Sequence, residues 1–272
     1  MGKITIYEDK LIYQRRDELT ILEPYGPNCI RCRSTKNSKI LDEDWTLLPP
    51  KEGAEYSITG DESVAEITNG MVKVKLEAGN IWYGGIINFY RKDEHILHTK
   101  YEGHYTGRNV HREGYHYQVK VIFDAHEGEH FYGLGQEQED QFDRKGSTVN
   151  LEHYNTKSAV PVYYSSMGYG FLWNSPAPGR CETTNNHTMW VSDSAYQADF
   201  LVYAAETPKE VLGIYADLTG HAPKFPHWAA GFWQSRMRYE TQDELMKVAR
   251  EYKKRGLPLA AIVIDFFHFF LY

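Results

Sequence analysis

The sequence predicts a mainly β protein: an N-terminal antiparallel β-sandwich over residues 1–222, then the first βαβ unit of an incomplete (β/α)8 barrel over residues 223–272. Three observations carry that prediction. Short apolar runs separated by turn residues recur along most of residues 1–205. Pro223 and Pro226 then punctuate the chain, since each fixes its own backbone and neither can continue a helix. Finally, residues 226–265 read as strand, capped amphipathic helix and apolar strand, the order of a βαβ unit.

Taken in order, residues 3–7, 28–33, 65–68, 71–76, 86–90 and 115–123 are expected to be strands. Met71-Val-Lys-Val-Lys-Leu76 alternates with period two, the sign of a strand with one buried face. Asn69-Gly70 before it predicts a tight hairpin, because both residues accept the positive φ of a type I′ turn. Strands at this spacing with no good helix among them suit an antiparallel sandwich. Cys29-Ile-Arg-Cys32 has metal or redox spacing. It lies in an expected strand with no second ligand pair, so the cysteines read as structural.

Gly133-Leu-Gly135 follows a strand but lacks the third glycine and the helix of a dinucleotide site. The glycines are expected to allow a sharp turn or a close backbone approach. Residues 136–157 are polar and charged, a long surface loop or a loosely paired hairpin. Further strands are expected at 160–164, 169–174, 189–192 and 198–204. Residues 207–219 read as a helix with Thr207 as N-cap, Pro208 in the first turn and Gly220 at its end. Its buried face is expected to carry Leu212, Tyr215 and Leu218.

Beyond the proline boundary, residues 229–236 form the next expected strand. Thr241-Gln-Asp-Glu244 is a capping box, and Leu245, Val248, Ala249 and Tyr252 share one helical face up to Gly256. Residues 259–264 are nearly all apolar, as in a parallel strand buried on both faces.

Composition bounds the function. A formal charge of −7 argues against a nucleic-acid partner, which would need a basic face. The start carries no apolar signal core, and no window reaches the roughly 18 apolar residues of a membrane helix, so no membrane partner is expected. Three cysteines make no disulfide framework, which favours a cytoplasmic location. The 12 histidines are scattered without matching acidic partners, and neither a metal nor another cofactor is expected. No nucleophilic elbow or Cys/His pair with an orienting group occurs. The 14% aromatic content suits sandwich cores first and sugar-stacking surfaces second.

In parallel α/β barrels, functional residues gather at the C-terminal ends of strands. One such end carries Trp233, Arg236, Arg238 and Tyr239; the other carries Asp265, Phe266, Phe267 and His268. An acid ending an apolar strand is costly to bury alone. Asp265 therefore has two readings, an ion pair with a neighbour such as Arg236, or ligand binding.

Four stretches give the chain a resemblance to glycoside hydrolase family 31, the α-glucosidases and α-xylosidases. They are Phe131-Tyr-Gly-Leu-Gly-Gln136; Pro161 with Ser166-Met-Gly-Tyr-Gly-Phe-Leu-Trp-Asn174; Tyr215-Ala-Asp-Leu-Thr-Gly220 leading into residues 226–239; and Arg255-Gly-Leu-Pro-Leu-Ala-Ala-Ile-Val-Ile-Asp265. The resemblance implies a galactose-mutarotase-like sandwich packed on a (β/α)8 barrel that cleaves α-linked xylosides or glucosides with retention. It implies that Asp265 hydrogen-bonds sugar hydroxyls, that Phe266 and Phe267 wall the pocket, and that Trp233 and Arg236 end the first barrel strand. Where several members carry an aspartate before the proline matching Pro161, this chain offers Asn155. Both family catalytic aspartates lie on later strands, so no catalytic residue is expected within these residues. A barrel takes about 250 residues, so the chain is expected to be a truncated N-terminal part, inactive alone. The expected partner is an oligosaccharide or glycoside, with homo-oligomers left open. The alternative is a non-catalytic carbohydrate-binding or structural β-sandwich module.

Overall fold

The computed structural model describes residues 2–265 except 17, 45, 80–83, 103, 104, 107–110 and 115. The chain is mainly β, as expected, and forms two compact units, Met1–His221 and Ala222–Tyr272.

Among the described residues, the first unit holds three large antiparallel sheets. One has eight strands in the spatial order Lys3–Ile6, Leu11–Arg15, Glu18–Pro24, Cys29–Thr35, Ala198–Ala204, Tyr169–Trp173, Ser158–Ser165 and Phe131–Gln136. A five-stranded sheet runs Tyr56–Gly60, Val64–Asn69, Val72–Glu77, Ile86–Arg91 and Glu94–His98. The other five-stranded sheet runs His111–Glu113, His116–Asp124, His187–Ala195, Gly179–Thr183 and Thr148–Asn150. All three contribute to one apolar core. At its centre Phe171 stacks on Trp190 and on Phe200, each at 5.1 Å between ring centroids. Such pairs add about 1 kcal/mol beyond the area they bury. Part of the aromatic richness of the sequence is this core.

The period-two strand behaves as its pattern requires: Val72, Val74 and Leu76 are buried, and Lys73 and Lys75 reach outward. Its hairpin turn lies one residue later than expected. Asn69 still pairs with Val72, so Gly70 and Met71 form the turn, with Gly70 at φ 55°. Asn69 is kept in the strand because its buried side chain donates to the carbonyls of Gly26 and Cys29, both at 2.8 Å. Asn28 reciprocates, accepting the Met71 amide at 2.7 Å.

Strand Cys29–Thr35 is buried along its whole length because both faces are covered. The core lies on one side. On the other lie helix α1 (Pro208–Thr219), through Val211 and Leu218, and Leu47. Two arginines on this strand are therefore enclosed, and each is paired: Arg31 with Asp199 and Asp44, Arg33 with Glu23 and Asp42. Helix α1 starts as expected at the Thr207 cap, with a full capping box to Glu210. Its buried face differs from the expected one, since Val211 takes the place of Leu212, which is 56% exposed.

Gly133 and Gly135 flank an irregularity where Phe131–Gln136 pairs with Ser158–Ser165. Gly133, Leu134 and Gly135 all have positive φ, and a Cβ on Gly135 would lie 2.0 Å from the Ser158 carbonyl oxygen. This is the close backbone approach the glycines predicted. Within 136–157, Thr148–Asn150 joins a sheet and Tyr154 bridges to Lys157.

Where strand Glu94–His98 meets the end of His116–Asp124, three imidazoles gather. The His95 ring lies 5.5 Å from that of His126 and 6.0 Å from that of His98. Asn88 Oδ1 sits 3.1 Å from His95 Nε2 and 2.6 Å from His98 Nδ1.

In the second unit, residues 227–230 form a 3-10 turn, so the strand expected over 229–236 is confined to Trp233–Arg236. Helix α2 (Gln242–Lys254) leads from it to the strand Ala261–Ile264. The two strands pair in parallel, as a βαβ unit requires. Ala261–Ile264 is half-buried and ends exposed rather than being buried on both faces, because its sheet has two strands among the described residues.

Candidate functional site

The register of the parallel pair sets the site. Trp233 lies opposite Ala261, Gln234 opposite Ile262, Ser235 opposite Val263 and Arg236 opposite Ile264. Side chains alternate along a strand, and directly opposed residues share a face. Trp233, Ser235 and Val263 thus share one face, and the next alternation after Val263 is Asp265. Gln234 and Arg236 take the other face.

Helix α2 covers that second face. The Tyr252 hydroxyl donates to Gln234 Oε1 at 2.6 Å, and the Tyr252 ring stacks on Phe232 at 5.8 Å. Arg236 pairs with Glu244 of the helix's first turn and lies over the Tyr239 ring at 5.9 Å. The capping box expected here is half formed. Thr241 accepts the Glu244 amide, but the Glu244 carboxylate turns to the Glu240 amide at 3.0 Å and to Arg236. The Glu240 amide, with Arg236 after it, holds the Glu244 carboxyl below the usual carboxylate range.

On the first face, the Ser235 hydroxyl donates to Asp265 Oδ2 at 3.0 Å. This bond crosses between neighbouring strands at their C-terminal ends, where barrel enzymes carry their functional groups. Trp233 begins its strand, donates to the Ala229 carbonyl at 3.1 Å and stacks on Trp228 at 5.7 Å. Asp265 comes four residues after Trp233's partner Ala261, a rise of about 13 Å along the strand.

The residues singled out by sequence are therefore distributed unevenly. Asp265 stands at the strand end as expected. Arg236 is engaged with the helix on the opposite face, and Trp233 lies at the start of the strand. Phe266, Phe267 and His268 fall outside the described residues. Asn155 belongs to the first unit, in the exposed turn closed by the Tyr154–Lys157 bridge. The residue that sequence reasoning missed is Ser235. The available signal was its two-residue offset from Trp233 together with the parallel register, which places it beside the alternation that ends on Asp265.

An ionised carboxylate only accepts hydrogen bonds, so a fixed Asp265 suits ligand hydroxyls. Among the described residues, no group of three or more His, Cys, Asp or Glu is placed to hold a metal ion. Cys29 and Cys32 are both buried in their strand, and burial pushes the Cys29 thiol far above its ordinary range, which leaves it a poor nucleophile.

Comparison with known proteins supplies the remaining context. Residues 18–182 match the glycosyl hydrolase 31 N-terminal galactose mutarotase-like domain, and residues 222–271 match the glycosyl hydrolases family 31 TIM-barrel domain. An uncharacterized family 31 glucosidase from Pseudescherichia vulneris is 32% identical over 290 residues, covering 98% of this chain and 54% of that protein. The α-xylosidase A of Aspergillus niger is 29% identical, over 92% of this chain and 37% of its own length. Among solved structures, a GH31 α-xylosidase from a soil metagenome, complexed with xylose, superimposes with a TM-score of 0.88 at 36% identity. That match covers 98% of this chain and 42% of the other. The chain thus spans about half, or less, of the length of these relatives.

Proposed function

The chain belongs to glycoside hydrolase family 31, and from that premise we propose that its residues are the N-terminal part of a retaining α-glycosidase acting on terminal α-linked xylosyl or glucosyl groups. The observation that carries this reading is Asp265, a carboxylate at the C-terminal end of a barrel strand, oriented by a hydroxyl from the strand beside it. In the proposed role Asp265 accepts hydrogen bonds from hydroxyls of the sugar to be cleaved; the family resemblance adds Phe266 and Phe267 as further candidates for substrate contact, and names Asn155 as another.

Retaining cleavage needs two further carboxylates about 5 Å apart, one to attack the anomeric carbon and one to protonate the leaving oxygen. By family resemblance these lie on later barrel strands, so residues 1–272 do not cleave glycosides by themselves. Support for xylosides over glucosides comes from relatives named as α-xylosidases and from the xylose complex of the soil-metagenome enzyme. A cytoplasmic location belongs to the same reading, on the low cysteine count.

The test is release of p-nitrophenol from α-xyloside and α-glucoside, by the 272-residue chain and by the same residues continued through the rest of a family 31 barrel. Turnover only in the longer chain is expected. Turnover by the 272 residues alone would place a catalytic pair within them, and turnover by neither would refute the glycosidase reading.

A further inference from the structure

We propose that Ser235 is a positioning residue for Asp265, a role that rests on the sugar-binding function proposed for that carboxylate. The side chain of an aspartate at a strand end turns about two bonds, and a ligand that needs one orientation must freeze it on binding. Ser235 freezes it beforehand. Its hydroxyl lies 3.0 Å from Asp265 Oδ2. The parallel register, with Ser235 opposite Val263, keeps donor and acceptor on the same face of adjacent strands.

The other polar residues of the first strand do not share this role. Gln234 accepts from Tyr252 and Arg236 pairs with Glu244, both on the face covered by α2. That division of labour is a consequence of alternation. One face of the strand anchors the helix, and the other orients the carboxylate. A hydroxyl suits the position better than a cation. A neutral hydroxyl bonded to Oδ2 restrains the carboxylate without adding a charge of its own.

Two measurements test the proposal. The first reads three-bond couplings about χ1 of Asp265 in the 272-residue chain, with the signal assigned through Asp265→Asn. A single rotamer is expected in the wild type and in Ser235→Thr, and rotamer averaging in Ser235→Ala. Couplings unchanged in Ser235→Ala would overturn the proposal. The second uses the chain continued through a complete barrel. There Ser235→Ala is expected to raise KM for an α-xyloside about tenfold, with kcat within about twofold and Ser235→Thr restoring KM. A fall in kcat at constant KM would also overturn it. Absence of wild-type turnover would count against the proposed function, while the couplings would still decide the role of Ser235.

Discussion

Arg31 and Asp199 meet across paired strands of the eight-stranded sheet, with Nη2 2.6 Å from Oδ2 and Nε 3.0 Å from Oδ1, and both are almost fully withdrawn from water. Burial pushes the Asp199 carboxyl up, and Arg31 and the Asn174 amide pull it back. Asp199→Ala would leave the guanidinium enclosed with Asp44, part-exposed, as its remaining ion-pair partner among the described residues. Breaking a buried pair in this way costs about 3 kcal/mol or more. Urea unfolding followed by tryptophan fluorescence should show the midpoint fall accordingly, and a change below about 1 kcal/mol would mean that water reaches Arg31.

The setting of His95 predicts a stability that declines with acidity. Burial first, then His126 and His98, hold His95 below its ordinary pKa of 6.5, opposed by Asp124. Asn88 and the Tyr90 ring face His95 from the neighbouring strand, and Lys100 lies 3.8 Å from Asp124. Above the ordinary value His95 is neutral in folded and unfolded chains alike. As pH falls below about 6.5 the unfolded chain takes up the proton first, so stability is lost from there down to the folded pKa. The urea midpoint should drop between about pH 7.5 and 5.5 in the wild type and drop less in His95→Gln. Equal drops would show that His95 is not the source of the loss.

Gly135 is expected to tolerate no side chain. Its φ is 90°, and an added Cβ would meet the Ser158 carbonyl oxygen at 2.0 Å and the Val160 amide nitrogen at 2.7 Å. Both neighbours are backbone of the paired strand and cannot swing away. Gly135→Ala should cost about 3 kcal/mol, strain and displaced backbone together. Calorimetry is the check, and an unchanged Tm would mean the irregularity re-forms around alanine.

Asp265→Ala, in the chain continued through a complete barrel, should lower kcat/KM for aryl α-glycosides about a hundredfold, the loss of hydrogen bonds to a charged group. Circular dichroism and Tm should stay close to wild type, because Asp265 is exposed. Wild-type kinetics in this variant would remove Asp265 from the binding site.

Much of the fold was legible because the signals were local. Met71-Val-Lys-Val-Lys-Leu76 announced the strand found at Val72–Glu77, Thr207-Pro208 a helix start, and the prolines around residue 223 the change of architecture. The hairpin joining Leu11–Arg15 to Glu18–Pro24 was missed because Arg16 takes φ 52° where a glycine or asparagine would have announced a turn. Leu212 was misassigned for a similar reason. Val211 and Leu212 are adjacent and both apolar, and only the sheet beneath α1 selects between them. At the candidate site, Asp265 stood out as an acid ending an apolar strand. Ser235 did not, because its importance depends on the register between two strands some thirty residues apart.

The order of strands in the eight-stranded sheet has a consequence for how the chain is made. Cys29–Thr35 finds one of its two neighbours at once, in Glu18–Pro24, and the other only in Ala198–Ala204. Arg31 and its partner Asp199 are 168 residues apart. At a synthesis rate of about 5–20 residues per second, the ribosome needs roughly 8 to 34 seconds to deliver that second neighbour. Throughout that interval the nascent protein carries an open sheet edge on which Arg31 still lacks Asp199, its most deeply buried partner. A chaperone has an opportunity there, and slowed translation before Ala198 would prolong the exposure of that edge.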